Sequence, residues 1–528
     1  MAANRIAIAF TFGVFLLNLL LGSWEAPATG DGYEEIRLVR EERLPRPQHL
    51  LLTPAWRALH QAVTQLAPGT TPLRTIVVAN AACGAIALGL AFSIGASLGI
   101  GAGALATALG GLAVSSAWWM HARDPETTML SHALLVASVW ALTHGRVLRN
   151  RGRMAAIALL TLAVSMAANL LTTMPMLVLL ERWRSARPWH HPRTILFALA
   201  LVLPFFGLAA WCYAAHREEI AAPFFVWLTH HSSEQMMGAI AKGTTPAAAL
   251  RAGSGLLRTF LPLEGGVPAA AKLVLTGRSV QGLHADQITV FAIAAAMTAF
   301  VLVLFVRAAL KAAHRSVFQA FAAGFLGTAV GCWIWLGSDP QFWVPILPFA
   351  FLGAAAGWKT LQSPTSYWVA AVAMASLGLL FLANVTWPTP SLVHRQGGPP
   401  WWSAGEFCKT STPGDLLVAQ DSRWSFYVAE RCAGLRTYRL LYESDATGNG
   451  FLTELEETID ATLAAGRRVV VEDLCADPGL EHLGFWENMA LVKEVPREEI
   501  CARLSDRYRI EELEERGQLR LLELKQRS

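Results

Sequence analysis

Long apolar runs recur through the first three quarters of the chain, separated by short stretches rich in Arg, Pro and Gly. A helix needs about 20 predominantly apolar residues to cross a bilayer. Eleven segments approach that length: 5–23, 74–95, 98–118, 128–144, 154–169, 171–182, 194–213, 288–308, 316–336, 341–357 and 366–386. The fifth and sixth are short, and read as one bent span or as two hinged at Asn169, Thr172 and Thr173 before Pro175. Past Trp387 the pattern changes. Asp415 to Ala419 and Arg468 to Val471 read as strands, and Leu452 to Ala465 reads as a helix running through Gly466 into the second of them. The pattern predicts a mainly α polytopic membrane bundle of about 11 spans over 1–387, with outer loops 24–73 and 214–287, and a soluble extracytoplasmic α/β domain over 388–528.

Composition sharpens this. Of 528 residues 54% are hydrophobic and only 16% charged, against about 25% charged in soluble domains, which excludes an ordinary soluble enzyme. The net charge of +4 conceals a segregation: 15 acidic and 26 basic residues up to Trp387, 24 and 17 after it. Lys and Arg near span ends stay cytoplasmic. The connections 145–153, 182–193 and 307–315 are all basic and fall on one side of an eleven-span count, the side of Arg5. The N-terminus is therefore expected inside and the C-terminal domain outside, with residues 5–23 an uncleaved first helix. Of the 15 acidic residues before Pro388, all but Glu181 then lie outside or at the outer surface. Carboxylates contribute little to orientation, so their clustering points to an external carboxylate-lined site.

Cys83, Cys212 and Cys332 lie in apolar spans as small hydrophobes, whereas Cys408, Cys432, Cys475 and Cys501 share the expected outer domain. Four cysteines in an oxidising compartment permit two disulfides in any of three pairings.

Two outer loops concentrate the chemistry. The first carries Gly30-Asp31-Gly32 with Glu34 and Glu35, then Pro45-Arg46-Pro47-Gln48-His49 before three leucines. A solvated helix over 33–42 capped by Asp31 would account for it structurally. The second runs Trp118-Trp119-Met120-His121-Ala122-Arg123-Asp124-Pro125-Glu126, and leaves Glu126 and His132 in the first turns of a span. Ionisable groups there are costly and usually face a cavity. In the long loop 214–287, His230, His231 and Glu234 read either as metal ligands or as part of a surface helix, with the amphipathic stretch Ala247 to Leu261 following. Trp333, Trp335 and Trp343 around Asp339 read as interfacial aromatics.

Taken together, the acidic first loop, the PxPxH-Leu-Leu segment, the Trp-Trp pair followed by acids, and the turn Phe342-Trp343-Val344-Pro345-Ile346-Leu347-Pro348 resemble the GT-C glycosyltransferase superfamily over about residues 5–387. That superfamily includes the protein O-mannosyltransferases and aminoarabinose transferases. The resemblance implies a polyprenyl-phosphate-linked sugar donor and a protein, lipid or glycan acceptor, with membrane lipids and no nucleic acid as further partners. It matches the catalytic first-loop acid to Asp31, with Glu34 or Glu35 as alternatives, and the second-loop acid to Asp124 or Glu126. Arg123, His49 and Arg46 are the cations for the donor phosphate. Asp124, His132 and Glu35 complete the cavity.

The chemistry suits these residue types. An acceptor hydroxyl attacking an anomeric carbon must lose a proton to a carboxylate within about 2.6–3.2 Å. A leaving phosphate needs cations. Inversion needs one base, where glycosidases use two carboxylates. A divalent cation is compatible with this chemistry, but no residue pattern demands one. A transporter would instead place charge at mid-membrane on broken helices and often show inverted repeats, whereas the acids here gather at the outer rim.

Overall fold

The computed structural model describes residues 2–21, 35, 36, 39, 49–122, 124, 129–185, 191–217, 223, 224, 227, 228, 246–261, 285–334, 340–361, 365–382, 384, 407–419, 428, 432, 434–440, 446–472, 475, 489, 493–516 and 519–526. They form two compact units, one of the helices before Pro388 and one of the mixed elements after it.

Each of the eleven apolar segments carries a helix. The described α-helices of the first unit, two of them (α2 and α10) outside those segments, are α1 (Ala2–Leu21), α2 (Leu52–Leu66), α3 (Pro72–Ser97), α4 (Ala102–Ala113), α5 (Ser116–His121), α6 (Met129–Thr143), α7 (Gly145–Met166), α8 (Met174–Ser185), α9 (Pro192–Ala215), α10 (Pro246–Arg258), α11 (Ala285–Lys311), α12 (Arg315–Ile334), α13 (Leu347–Lys359) and α14 (Thr365–Phe381). Among the described residues five helices are long and apolar enough to span: Pro72–Ser97, Pro192–Ala215, Ala292–Lys311, Arg315–Ile334 and Pro340–Lys359. Shorter apolar helices at Arg5–Leu21, Ala102–Ala113, Met129–Thr143 and Thr365–Phe381 pack with them. Local chemistry sets where the helices start. Thr71 caps α3 by accepting from the Arg74 N–H, and Pro72 occupies the first turn, where a missing N–H costs nothing.

The short fifth and sixth segments prove to be two helices. A 3₁₀ stretch, Ala168–Thr173, separates α7 from α8. Its approach to α12 requires glycine: a Cβ on Gly327 would stand 2.2 Å from the Thr172 carbonyl oxygen, and one on Gly331 2.6 Å from Thr172 Cγ2. The third segment is also broken, with α4 ending at Ala113 and α5 resuming at Ser116. Helix α2 is a feature the span pattern does not predict. Leu52, Trp56, Leu59, Val63 and Leu66 recur at intervals of four and three, and Leu52, Thr53 and Trp56 are buried.

The second unit is α/β, as expected. Strands β1 (Leu416–Ala419), β2 (Arg436–Arg439), β3 (Val469–Glu472), β4 (Tyr508–Arg516) and β5 (Leu519–Gln526) form one sheet in the order β2-β1-β3-β5-β4. Strand β1 pairs parallel with β2 and β3, and β5 pairs antiparallel with β3 and β4. Helices α15 (Gly448–Ala464) and α16 (Arg497–Arg507) bury Phe451, Leu455, Ile459, Ile500 and Leu504 with Leu416, Val418, Val469 and Val471 of the sheet. The disulfides pair Cys408 with Cys432 and Cys475 with Cys501.

Candidate functional site

The charged groups described below lie toward the two ends of the helical unit. One end collects the outlets of α4, α7 and α10 and the start of α3. There α5 and the turn after it pack on α3: a Cβ on Gly84 would lie 3.3 Å from Ala122 Cβ and 3.6 Å from Trp118 Nε1. Asn80 Nδ2 donates to the Asp124 carbonyl at 2.6 Å, fixing the turn, and Asp124 is completely buried. The segment after α10 is stitched to the start of α5. Ser116 N donates to Phe260 O at 3.1 Å and Ala117 N to Thr259 O at 3.0 Å. Asn384 Nδ2 reaches both Val114 O and Phe260 O at 2.8 Å. This clamp brings Arg258, the last residue of α10, within electrostatic reach of His121, which in turn acts on His132.

The first loop converges on the same end of the bundle. Glu35 is buried, and Thr53 Oγ1 donates to its Oε1 at 2.7 Å. His49 Nδ1 donates to Met166 O at 2.8 Å, and Leu51 N donates to Ser165 O at 2.9 Å, so the stretch before α2 is pinned to the end of α7.

Of the residues singled out from sequence, Glu35, His49, Asp124 and His132 are thus at this end. His132 is 2% exposed, and among the described residues its Nδ1 has no hydrogen-bond partner. Asp31, Glu34, Arg46, Arg123, Glu126, His230, His231, Glu234 and Asp339 lie outside the described residues. Among the described residues, no three His, Cys, Asp or Glu side chains are grouped to hold a metal ion. Sequence reasoning missed Arg258, Asn80 and Asn384. An available signal for Arg258 was a cation closing an amphipathic stretch in the loop assigned to the carboxylate side.

Burial sets the charge state of His121. It is 3% exposed, and desolvation, reinforced by the Arg258 guanidinium, pushes its pKa down to about 3. The imidazole is therefore neutral at physiological pH. It adds no positive charge beside Arg258.

The opposite end is basic, and among the described residues one carboxylate there, Glu181, falls into place. Glu181 is buried against Arg153, with Arg184 3.9 Å away. Arg307 donates to Thr360 Oγ1 at 2.7 Å and to Thr360 O at 3.0 Å, and Lys359 Nζ to Gly99 O at 2.5 Å.

This helix order, with a small α/β unit after the bundle, matches the membrane fold of ArnT. Among solved structures the chain is similar to ArnT from Cupriavidus metallidurans bound to undecaprenyl phosphate, with a TM-score of 0.54 at 14% identity over 98% of this chain and 97% of that one. The apo state of the same ArnT gives 0.54 at 13% identity, over 98% and 97%. The Archaeoglobus fulgidus oligosaccharyltransferase in complex with Zn and sulfate gives 0.49 at 12% identity, over 97% and 72%. No family model and no curated protein matches the sequence.

Proposed function

We propose that the chain is an inverting glycosyltransferase that moves a sugar from a polyprenyl-phosphate donor to an acceptor on the outer side of the membrane. The observation that carries the reading is the convergence of buried Glu35, buried Asp124, His49 and Arg258 on one end of a bundle with the ArnT fold. ArnT itself has been crystallised with undecaprenyl phosphate. In this reading Asp31 is the base that takes the acceptor proton, and Glu35, held by Thr53, shares its loop. Arg258 joins Arg123, His49 and Arg46 as a cation for the leaving phosphate, where a charge-assisted pair is stronger than a neutral one. To act as a cation His49 must be protonated on both nitrogens, and its Nδ1 already donates to Met166.

The test is sugar transfer from polyprenyl-phosphate donors in membranes holding the parent or single variants. Asp31→Asn keeps the capping ability of the side chain, yet removal of a general base lowers transfer by about 10²–10⁴-fold. Glu34→Gln and Glu126→Gln run beside it. Parental transfer by all three sinks the carboxylate site, and parental transfer by the Asp31 variant alone moves the base elsewhere. Loss of a charged hydrogen bond costs about 1.5–3 kcal/mol, so Arg258→Gln should weaken donor use roughly tenfold to a hundredfold, with Arg258→Lys recovering part.

A further inference from the structure

An apolar groove lies between α4, α11, α13 and α14. Leu304, Trp358 and Val369 line it toward the basic end, and Leu380 and Phe260 toward the other. From Val369 to Leu380, at ~1.5 Å per residue, the groove runs about 16 Å. That is about half of the ~30 Å hydrocarbon core, the depth of one leaflet.

What stands beyond its Trp358 end decides the occupant. Lys359 follows Trp358 directly, and Arg307 lies one turn after Leu304. Among the described residues both side chains donate to neutral acceptors, Gly99 O for Lys359 and Thr360 for Arg307. Lys311 and Arg315 follow, and among the described residues none of these four meets a carboxylate, in contrast with Arg153 and Arg184 beside Glu181. Tyr367 and Trp368, 74% and 73% exposed, open α14 at the same end, where amphipathic rings mark the headgroup level.

We propose that this groove binds one chain of an anionic phospholipid from the leaflet at the basic end, with the phosphate held by Lys359 and Arg307. A single chain matches the leaflet-deep apolar slot, and clustered unneutralised cations at the membrane surface select an anionic headgroup. The headgroup site lies at the end opposite the transfer site and stands whether or not the donor assignment does.

The test uses the full chain, delipidated in detergent, with its thermal midpoint read after adding phosphatidylglycerol, phosphatidylcholine or undecaprenyl phosphate. Phosphatidylglycerol should raise the parent's midpoint by several degrees and phosphatidylcholine by clearly less. Lys359→Gln should erase the difference between the two phospholipids. Ala373→Phe, which pushes a ring into the groove from half-exposed α14, should remove both responses. Equal stabilisation of the parent by both phospholipids overturns the headgroup site. A phosphatidylglycerol response that survives Ala373→Phe, or a response to undecaprenyl phosphate alone, overturns the groove assignment. If Ala373→Phe does not fold, native mass spectrometry decides on two chains with the groove intact: copurified phosphatidylglycerol should fall roughly tenfold from the parent to Lys359→Gln, and equal retention refutes the proposal.

Discussion

At the scale of single residues, His121 shows how burial makes a group chemically definite. With its folded pKa depressed to about 3 against an ordinary value of 6.5, only the unfolded chain takes up a proton between those limits. Its contribution to stability is complete above pH 6.5 and is lost as pH falls from there toward 3. His121→Asn should therefore melt with a shallower loss of midpoint between pH 7 and pH 4 than the parent does. Parallel curves would show that the ring is hydrated in the folded state. Glu35, His49 and Asp124 were legible in the sequence, because ionisable groups beside long apolar runs are expensive and so stand out. Arg258 was not. Its relation to His121 depends on the backbone bonds between residues 116–117 and 259–260, which join segments more than 140 positions apart and leave no local pattern.

At the scale of elements, apolar run length located the spans, while their breaks and partners depended on tertiary contacts. Pro175 and the polar Asn169, Thr172 and Thr173 marked the hinge between α7 and α8, but that the hinge lies against α12 rests on Gly327 and Gly331. Gly327→Ala places a methyl 2.2 Å from a backbone oxygen, a clash that only backbone movement relieves. Overpacking of this kind costs about 1–3 kcal/mol. The variant should melt several degrees lower than the parent in detergent, and Gly207→Ala, which meets nothing within 4 Å, serves as the control on an exposed helix face. Equal midpoints for the two variants would show that the hinge has room to move. Helix α2 escaped notice because its apolar residues occupy one stripe of a polar sequence, so a search for continuous runs passes over it. Strands β4 and β5 were equally hidden: Tyr508-Arg509-Ile510-Glu511-Glu512-Leu513 carries too much charge to read as sheet until its pairing with β5 is known. The disulfide partners follow from the same tertiary packing, which sequence spacing does not encode.

At the scale of the whole molecule, the division between a carboxylate end and a basic end ties orientation to function. Arg153, Arg184, Arg307 and Lys359 lie at the ends of α7, α8, α11 and α13 that the positive-inside rule assigns to the cytoplasm. Glu35 and Asp124 lie at the other. In that orientation the proposed transfer faces outside the cell, and Cys408–Cys432 and Cys475–Cys501 form in an oxidising compartment. Single cysteines introduced at positions 150, 220 and 450 of a chain whose three free native cysteines are replaced test this directly. A membrane-impermeant maleimide on intact cells should label 220 and 450 and spare 150 until the membrane is broken. The disulfides supply an independent reading from the native chain: expressed in cells lacking periplasmic disulfide oxidation, it should show four additional reactive thiols after denaturation. Labelling of 150 from outside would reverse the orientation. Glu35 and Asp124 would then face the cytoplasm, and the proposed external transfer would fall with the topology that supports it.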